Sequence, residues 1–285
     1  MEQEGSMDYR TILVHLDRGA RRSERLELAF TLADRYDAHL VGLFALSAAR
    51  IPSYVRADTS AALITAQDRL RAEAAGEAEA AFRAAMARHH GVKAEWRVSN
   101  GDALGAVRLS ARYSDLVIAG QRERDAEDDA GLAPEFVDEL VLSCGRPVLF
   151  VPYAGRFPDT GKRVLVAWNA SSEAARAVAD ALPLLARAES VNVVVFETGR
   201  AGDHGEEPGA DAALYLARHG VRATVSKYGS RDADIGSQML SLAADVGADL
   251  IVMGAYGHSR MRELMLGGAT RTILESMTAP VLMSR

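Results

Sequence analysis

The residues with the clearest chemical potential lie near the C-terminus. After the apolar run Leu250-Ile251-Val252-Met253 the chain reads Gly254-Ala255-Tyr256-Gly257-His258, and nine residues after Gly257 it reaches Gly267-Gly268-Ala269-Thr270. Thr270, Ile273, Leu274 and Met277 then recur at helical spacing. Glycine after a strand lets the backbone turn and lets a phosphate approach where a β-carbon would obstruct it. Gly267-Gly268 stands just before a helix start, where free N–H groups and the helix dipole attract anions. This pattern predicts a polyphosphate cradled by backbone amides, not by lysines. The other reading of the same glycines is a strand-to-helix connection with a glycine cap, and the glycines alone do not choose between them. His258, when protonated, can touch a phosphate, and Arg260, Arg262 and Arg271 can screen its charge. The alternative for all four is an ordinary exposed side chain.

Other chemistries find little support. There is no Gly-x-x-x-x-Gly-Lys-Ser/Thr loop and no Gly-x-Ser-x-Gly elbow. Cys144 is the single cysteine, so neither an internal disulfide nor a paired-cysteine zinc site can form. It lies in the apolar stretch Leu140-Val141-Leu142-Ser143-Cys144 and reads as a small buried hydrophobe, not as a nucleophile. His89-His90 reads as charge at a helix C-terminus. No ordered base for attack by water is evident, so an enzyme is not expected, beyond slow turnover of a bound nucleotide.

The elements that must position the glycine loop come from a duplication. Asp115-Leu116-Val117-Ile118-Ala119-Gly120 matches Asp249-Leu250-Ile251-Val252-Met253-Gly254, and Pro147-Val148-Leu149 matches Pro280-Val281-Leu282. The two words are separated by 32 positions in the first half and 31 in the second. Apolar runs open each half, Ile12-Leu13-Val14 and Val164-Leu165-Val166-Ala167. Both are followed by a helical pattern, with Ser171 and Ser172 as candidate N-caps in the second half. A repeat this long is a duplicated domain, not a solenoid unit. The second half predicts strands at 163–168, 191–196, 221–227, 249–254 and 280–283. Residues 57–90 are rich in Ala, Glu and Arg and predict a long helix, with Gly76 as an interruption. The corresponding stretch of the second half, 199–209, reads as a loop before a short helix at 211–219. Residues 155–161, with Gly155, Pro158 and Gly161, read as a linker between domains at 1–154 and 162–285. Alternating strands and helices build a parallel sheet covered on both faces. The expectation is thus an α/β protein of two tandem Rossmann-like domains, each a five-stranded parallel sheet of order 3-2-1-4-5. Ligands bind such sheets beyond the carboxyl ends of the strands, where the order reverses, here between the first and fourth.

The chain has 285 residues, 48% hydrophobic and 25% charged, with a formal net charge of -6. That suits about two globular domains and supplies no global attraction to nucleic acid or anionic lipid. The acidic opening Met1-Glu2-Gln3-Glu4-Gly5 lacks the order of a signal peptide, and no apolar run approaches a membrane span. A cytoplasmic protein is expected, without nucleic-acid or membrane partners.

The spacing Gly254, two residues, Gly257, nine residues, Gly267 resembles the ATP-binding motif of the universal stress protein family. The resemblance covers nearly the whole chain as a tandem pair, with the motif in the second copy. It implies a HUP-type fold and a stress-response role in which a bound adenine nucleotide regulates contacts with a protein partner. The nucleotide would be ATP, ADP or AMP, with Mg2+ as a candidate companion. The implied binding set is Ala167, Asn169, Phe196, Met253, Gly254, Gly257, His258, Gly267, Gly268, Ala269 and Thr270. Asn169 stands where the family places an Asp near the ribose, and keeps an acceptor while losing the charge. The Phe196 backbone would meet adenine. Gly268 replaces the usual Ser or Thr, which removes one hydroxyl, and Thr270 is a candidate substitute.

The first half keeps Asp17 and Gly120, but the second glycine is missing and Asp125, Glu127, Asp128 and Asp129 follow. It is not expected to bind ATP. An alternative for the whole chain is a structural or interaction protein with a vestigial site, which the Gly268 and Asn169 departures favour; a weak ATPase is a third. Unpaired apolar edge strands are a liability. The last strands, 147–151 and 280–283, are therefore expected to join the halves as an intramolecular pseudo-dimer, with a homodimer left open.

Overall fold

The computed structural model describes residues 8–47, 57–121, 132–133, 135–197, 209–229, 234–256 and 268–285. The first half contains β1 (Thr11–Leu16), α1 (Arg22–Tyr36), β2 (His39–Ala45), α2 (Ala57–Arg88), β3 (Ala94–Ser99), α3 (Ala103–Ala111), β4 (Leu116–Gly120), α4 (Phe136–Ser143) and β5 (Val148–Val151). The second contains β6 (Arg163–Trp168), α5 (Ser172–Leu185), β7 (Ser190–Glu197), α6 (Ala210–Arg218), β8 (Ala223–Gly229), α7 (Ile235–Asp245), β9 (Leu250–Gly254), α8 (Gly268–Ser276) and β10 (Val281–Ser284). All ten strands form one sheet in the order β3-β2-β1-β4-β5-β10-β9-β6-β7-β8. Each half thus has the order 3-2-1-4-5, and pairing within each half is parallel. The duplicated α/β architecture read from the sequence is the one observed.

The repeated aspartates explain themselves in this frame. Parallel strands leave the amides at a strand start without a ladder partner. Asp115 accepts from the Arg10 and Thr11 amides at 2.8 and 2.9 Å. Asp249 accepts from Gly161 and Arg163 at 2.8 and 2.9 Å. Each carboxylate therefore staples the fourth strand of its half to the start of the first. Gly161, at φ +90, makes the turn that delivers its amide, a backbone region open to glycine.

Two cores lie on the two faces of the sheet. Side chains of α1, α2, α5 and α6 pack on one face, and those of α3, α4, α7 and α8 on the other. The halves meet where β5 and β10 run antiparallel, with Val281 opposite Phe150, Leu282 opposite Leu149 and Met283 opposite Val148. Antiparallel pairing here covers two apolar strands that would otherwise be open edges. On one face α1 and α5 are tied together. Tyr36 donates to the Pro183 carbonyl at 3.0 Å, Tyr9 to that of Asp180 at 2.8 Å, and the Arg187 guanidinium lies 4.6 Å from the Tyr36 ring centre.

Two expectations about element bounds need correction. Gly76 does not interrupt α2. A mid-helix glycine costs about 1 kcal/mol, but Ala74, Ala78, Phe82 and Ala85 bury one stripe of this helix across that position. The strand expected at 221–227 starts two residues later. Gly220, at φ +76, and the Val221 amide, bonded to the Leu216 carbonyl at 3.0 Å, still belong to the C-terminal cap of α6. The loop anticipated at 199–209 lies outside the described residues except for Gly209. Among the described residues no helix is long and apolar enough to cross a membrane.

Candidate functional site

The strand order reverses between β6 and β9, and the register shows which residues meet there. Ala167 pairs with Met253 on one side and Val194 on the other, and Trp168 pairs with Val195. One step further on stand Asn169, at the exit of β6, and Phe196, on β7. Asn169 is exposed and its side-chain oxygen accepts from the Ser171 amide at 3.1 Å and the Ser171 hydroxyl at 2.7 Å. That turn holds Ala170 at φ +55. The Ser171 oxygen in turn accepts from the Ala174 amide at 3.1 Å, so Ser171 is the N-cap of α5. Phe196 is half-buried and its ring lies 6.1 Å from that of Tyr228 on the edge strand β8.

Gly254 ends β9 against the first turn of α5. A β-carbon there would stand 2.5 Å from the Glu173 carbonyl carbon and closer still to the Ala174 nitrogen. The space freed by this glycine is therefore taken by helix backbone. Ala255 is buried and bonds from its amide to the Ser284 carbonyl at 2.9 Å. Tyr256 follows at φ +62 and donates its phenol to Asp138 of α4 at 2.8 Å. Burial and the adjacent carboxylate push that phenol well above the usual tyrosine range, so it keeps its proton.

Gly257, His258 and Gly267 lie outside the described residues, as do Arg260 and Arg262. The structure resumes at Gly268, the first residue of α8, which is exposed and has no atom within 4 Å of where a β-carbon would be. Ala269 is half-buried. Thr270 is 5% exposed, so the open position at the helix start belongs to Gly268 and not to Thr270. Arg271 reaches Glu275 on its own helix at 2.9 Å, an i,i+4 pair, which fixes the guanidinium along the helix. The structure thus brings Ala167, Asn169, Phe196, Met253 and Gly254 to neighbouring strand ends. Among the described residues no group of three or more His, Cys, Asp or Glu side chains could hold a metal ion.

Residues 161–285 match the model of the universal stress protein family. The matched residues are those of the second half. It is 26% identical over 176 residues to a universal stress protein of Synechocystis sp., an alignment covering 60% of this chain and 58% of the relative. A universal stress protein of Methanocaldococcus jannaschii is 33% identical over 45 residues, 16% of this chain and 28% of that one. The chain thus spans little more than half the length of the first of these curated relatives and about a quarter of the second. A universal stress protein from Archaeoglobus fulgidus superposes with a TM-score of 0.68 at 17% identity, over 96% of this chain and 98% of that one. At that identity the likeness is one of fold, and it extends over both halves.

The first half fills its own crevice with side chains. Arg25 of α1 donates to the His15 carbonyl at 2.8 Å and to the two Asp17 oxygens at 3.0 and 3.3 Å. The Asp17 and Arg25 side chains are 4% and 5% exposed. Asp17 also accepts from the Gly19 amide at 2.8 Å. Burial pushes the Asp17 carboxyl up, but the Arg25 charge, His15 and these hydrogen bonds outweigh it and hold Asp17 below the usual range. His15 bonds through Nε2 to the Ala45 carbonyl at 2.9 Å and packs on Phe136; its Nδ1 has no partner among the described residues. Burial lowers its pKa, so it is neutral.

Sequence reasoning placed the first half's defect in the missing glycine and in acidic residues 125–129, which lie outside the described residues. It missed Arg25, Asp138 and Tyr256. The signal for Arg25 was available: Ser23-Glu24-Arg25 stands where the second copy has Ser172-Glu173-Ala174. Cys144 is buried, and burial pushes its thiol up to about 11, which suits a packing residue.

Proposed function

We propose that this chain is a tandem universal stress protein that binds an adenine nucleotide, ATP in the first instance, in its C-terminal half, and acts as a cytoplasmic regulatory module. The units would be residues 1–154 and 162–285, joined by 155–161. The observation that carries the reading is the switch point between β6 and β9: β9 leads through residues 255–267 to α8, whose first residue, Gly268, is exposed and unobstructed. Phosphates would lie along the amides around Gly254, Gly257, Gly267, Gly268 and Ala269, drawn by the helix start. Asn169 would face the ribose and the Phe196 backbone the adenine, with Ala167 and Met253 as the floor. Mg2+, where present, would travel on the phosphates. The β5–β10 pairing supports reading the halves as an intramolecular pseudo-dimer. Occupancy would favour one arrangement of the loop and so change what a protein partner meets.

A second reading, an interaction protein with a vestigial site, draws on Gly268 in place of a hydroxyl residue and on the use of the Gly254 space by α5. One experiment separates the two. Acid release from the purified full chain, followed by chromatography, should yield close to one adenine nucleotide per chain. Added Mg-ATP at 100 times its Kd should raise stability by about 2.7 kcal/mol. Absence of both released nucleotide and heat-stabilisation would overturn the first reading in favour of the second.

A further inference from the structure

We infer that the joint between the halves holds a ligand site of its own, for a small phosphate-bearing anion, in the cleft lined by Arg146, Arg176, Ser284 and Arg285. The cleft has a volume of about 320 Å³, at the lower end of the range for small-molecule sites. The last antiparallel pair of the joint is Met283 with Val148, so Ser284 lies one step beyond it, beside the turn that leads from α4 into β5. Side chains alternate along β10. Val281 and Met283 enter one core and Leu282 the other, so Ser284 turns toward the face that carries α5. There α5 contributes Arg176 and Asp180 to the cleft, and the first half contributes Leu142 and Arg146.

Two independent features of this cleft call for a ligand. Ser284 is 2% exposed, and its hydroxyl has no hydrogen-bond partner among the described residues. Buried polar groups are ordinarily bonded, and one left alone is costly. The matching residue of the first half is Val151, buried and apolar, so the scaffold itself requires no hydroxyl here. The second feature is charge. Arg176 pairs with Asp180 at 2.9 Å. Arg146 and Arg285 donate to the Arg112 and Leu142 carbonyls at 3.2 and 3.3 Å, and to no carboxylate among the described residues. A guanidinium carries five N–H donors, so one bond steadies each side chain and leaves donors for a ligand. Two cations without a counter-charge match a phosphate group, which is close to dianionic at neutral pH, and the guanidinium fork suits its oxygens. Both halves supply residues, so the site exists only in the joined molecule.

The test uses the full chain and inorganic phosphate, titrated by calorimetry against sodium chloride of equal ionic strength, beside heat unfolding. Phosphate stabilises folded proteins in general by exclusion from their surfaces, so the variants carry the decision. One phosphate per chain is expected. Arg146→Gln and Arg285→Gln, neither of which strands a carboxylate, should each weaken binding about tenfold, the scale of a bond between charged groups. Ser284→Ala should also bind more weakly, yet melt at the same temperature or higher without phosphate, because it deletes an unpartnered hydroxyl. A hydroxyl with a packing role alone would not separate those two effects. Tighter binding of glycerol phosphate than of the free ion would assign the site to phosphate esters, and the reverse order to phosphate itself; either supports the inference. It is overturned by the absence of saturable heat above the chloride control, or by equal binding in all three variants. Phosphate binding that Mg-ATP abolishes and these variants leave intact also overturns it, since the ion would then lie in the nucleotide crevice.

Discussion

The guanidinium of Arg25 lies against Gly120: a β-carbon on that glycine would stand 2.6 Å from its Cζ. At the matching glycine of the second half, Gly254, the neighbour is the backbone of Glu173 and Ala174. One scaffold has thus closed the same narrow space in two ways, with a buried ion pair in one copy and with helix backbone in the other. A charge without a partner is tolerated poorly at such burial, which ties Arg25 to Asp17 and both to the glycine.

Removing one member of that pair should be costly. Arg25→Ala leaves the Asp17 carboxylate buried without its counter-charge, and we expect a loss of about 3–5 kcal/mol in urea unfolding at neutral pH. Exchanging both members for uncharged residues of similar size should cost much less, because breaking a buried pair is worse than replacing it. A loss below about 1 kcal/mol for Arg25→Ala would show the pair to be relaxed or hydrated.

The same cluster gives stability a directional dependence on pH. His15 has its pKa lowered by burial, so below about pH 6.5 the unfolded chain takes a proton that the fold resists. Stability therefore falls as pH drops from about 6.5 toward the folded value. Asp17 is also held low, so its contribution is present above about pH 4 and is lost as pH falls through its folded pKa. Two successive losses on the acid limb are expected, and His15→Leu should erase the first alone. Urea midpoints collected from pH 8 down to about pH 2 decide this, the range that spans both losses; an acid limb unchanged in His15→Leu would refute the assignment.

What could be read from the sequence, and what could not, follows from how local each cause is. Ser171 as N-cap, the strand at 163–168 and the duplication rest on periodicity, capping and the paired words around Asp115 and Asp249, all of which are local or repeated; the order 3-2-1-4-5 came with the fold type that the resemblance implies. The function of Asp115 and Asp249 was hidden, because stapling a strand start requires knowing which strand lies beside it. Gly254 was read as room for a phosphate, whereas the contact seen in the structure is with the start of α5, 80 residues away, which demands a glycine there. Tyr256 and Asp138 meet across 118 positions and across the two halves, beyond the reach of any window. Arg25 lies among Arg18, Arg21 and Arg22, where one more cation carries no signal unless the two copies are aligned.

The two glycines that flank the candidate loop should respond in opposite ways. Gly254→Ala drives a β-carbon into rigid backbone at the start of α5 and should cost about 1–3 kcal/mol, with nucleotide affinity lost alongside. Gly268 faces open space, so Gly268→Ser meets nothing and places a hydroxyl at the helix start. We expect unchanged or slightly raised stability and tighter Mg-ATP binding, up to about tenfold for one added hydrogen bond. Thermal melts with and without nucleotide measure both variants. Tolerance of Gly254→Ala, or weaker binding by Gly268→Ser, would contradict the geometry described for this crevice.

The joint between the halves leads to a prediction about cooperativity. Chains longer than about 150 residues commonly unfold in stages, and two similar α/β units would ordinarily do so. Here β5 and β10 pair through Val148, Leu149, Phe150, Val281, Leu282 and Met283, every one of them fully buried. On one face Tyr9 and Tyr36 bond to α5, and on the other Gln121, after β4, bonds to α8 and Tyr256, after β9, bonds to α4. Unfolding either half would bare the apolar strand of the other and strand these polar partners, so a half-folded state is disfavoured from both sides. A single calorimetric transition is expected, with calorimetric and van't Hoff enthalpies in agreement. Leu282→Asp, which buries a charge opposite Leu149, should lower the melting of the whole molecule and split the transition. Two resolved transitions in the unaltered chain would show that the halves are stable alone and that the continuous sheet does not couple them.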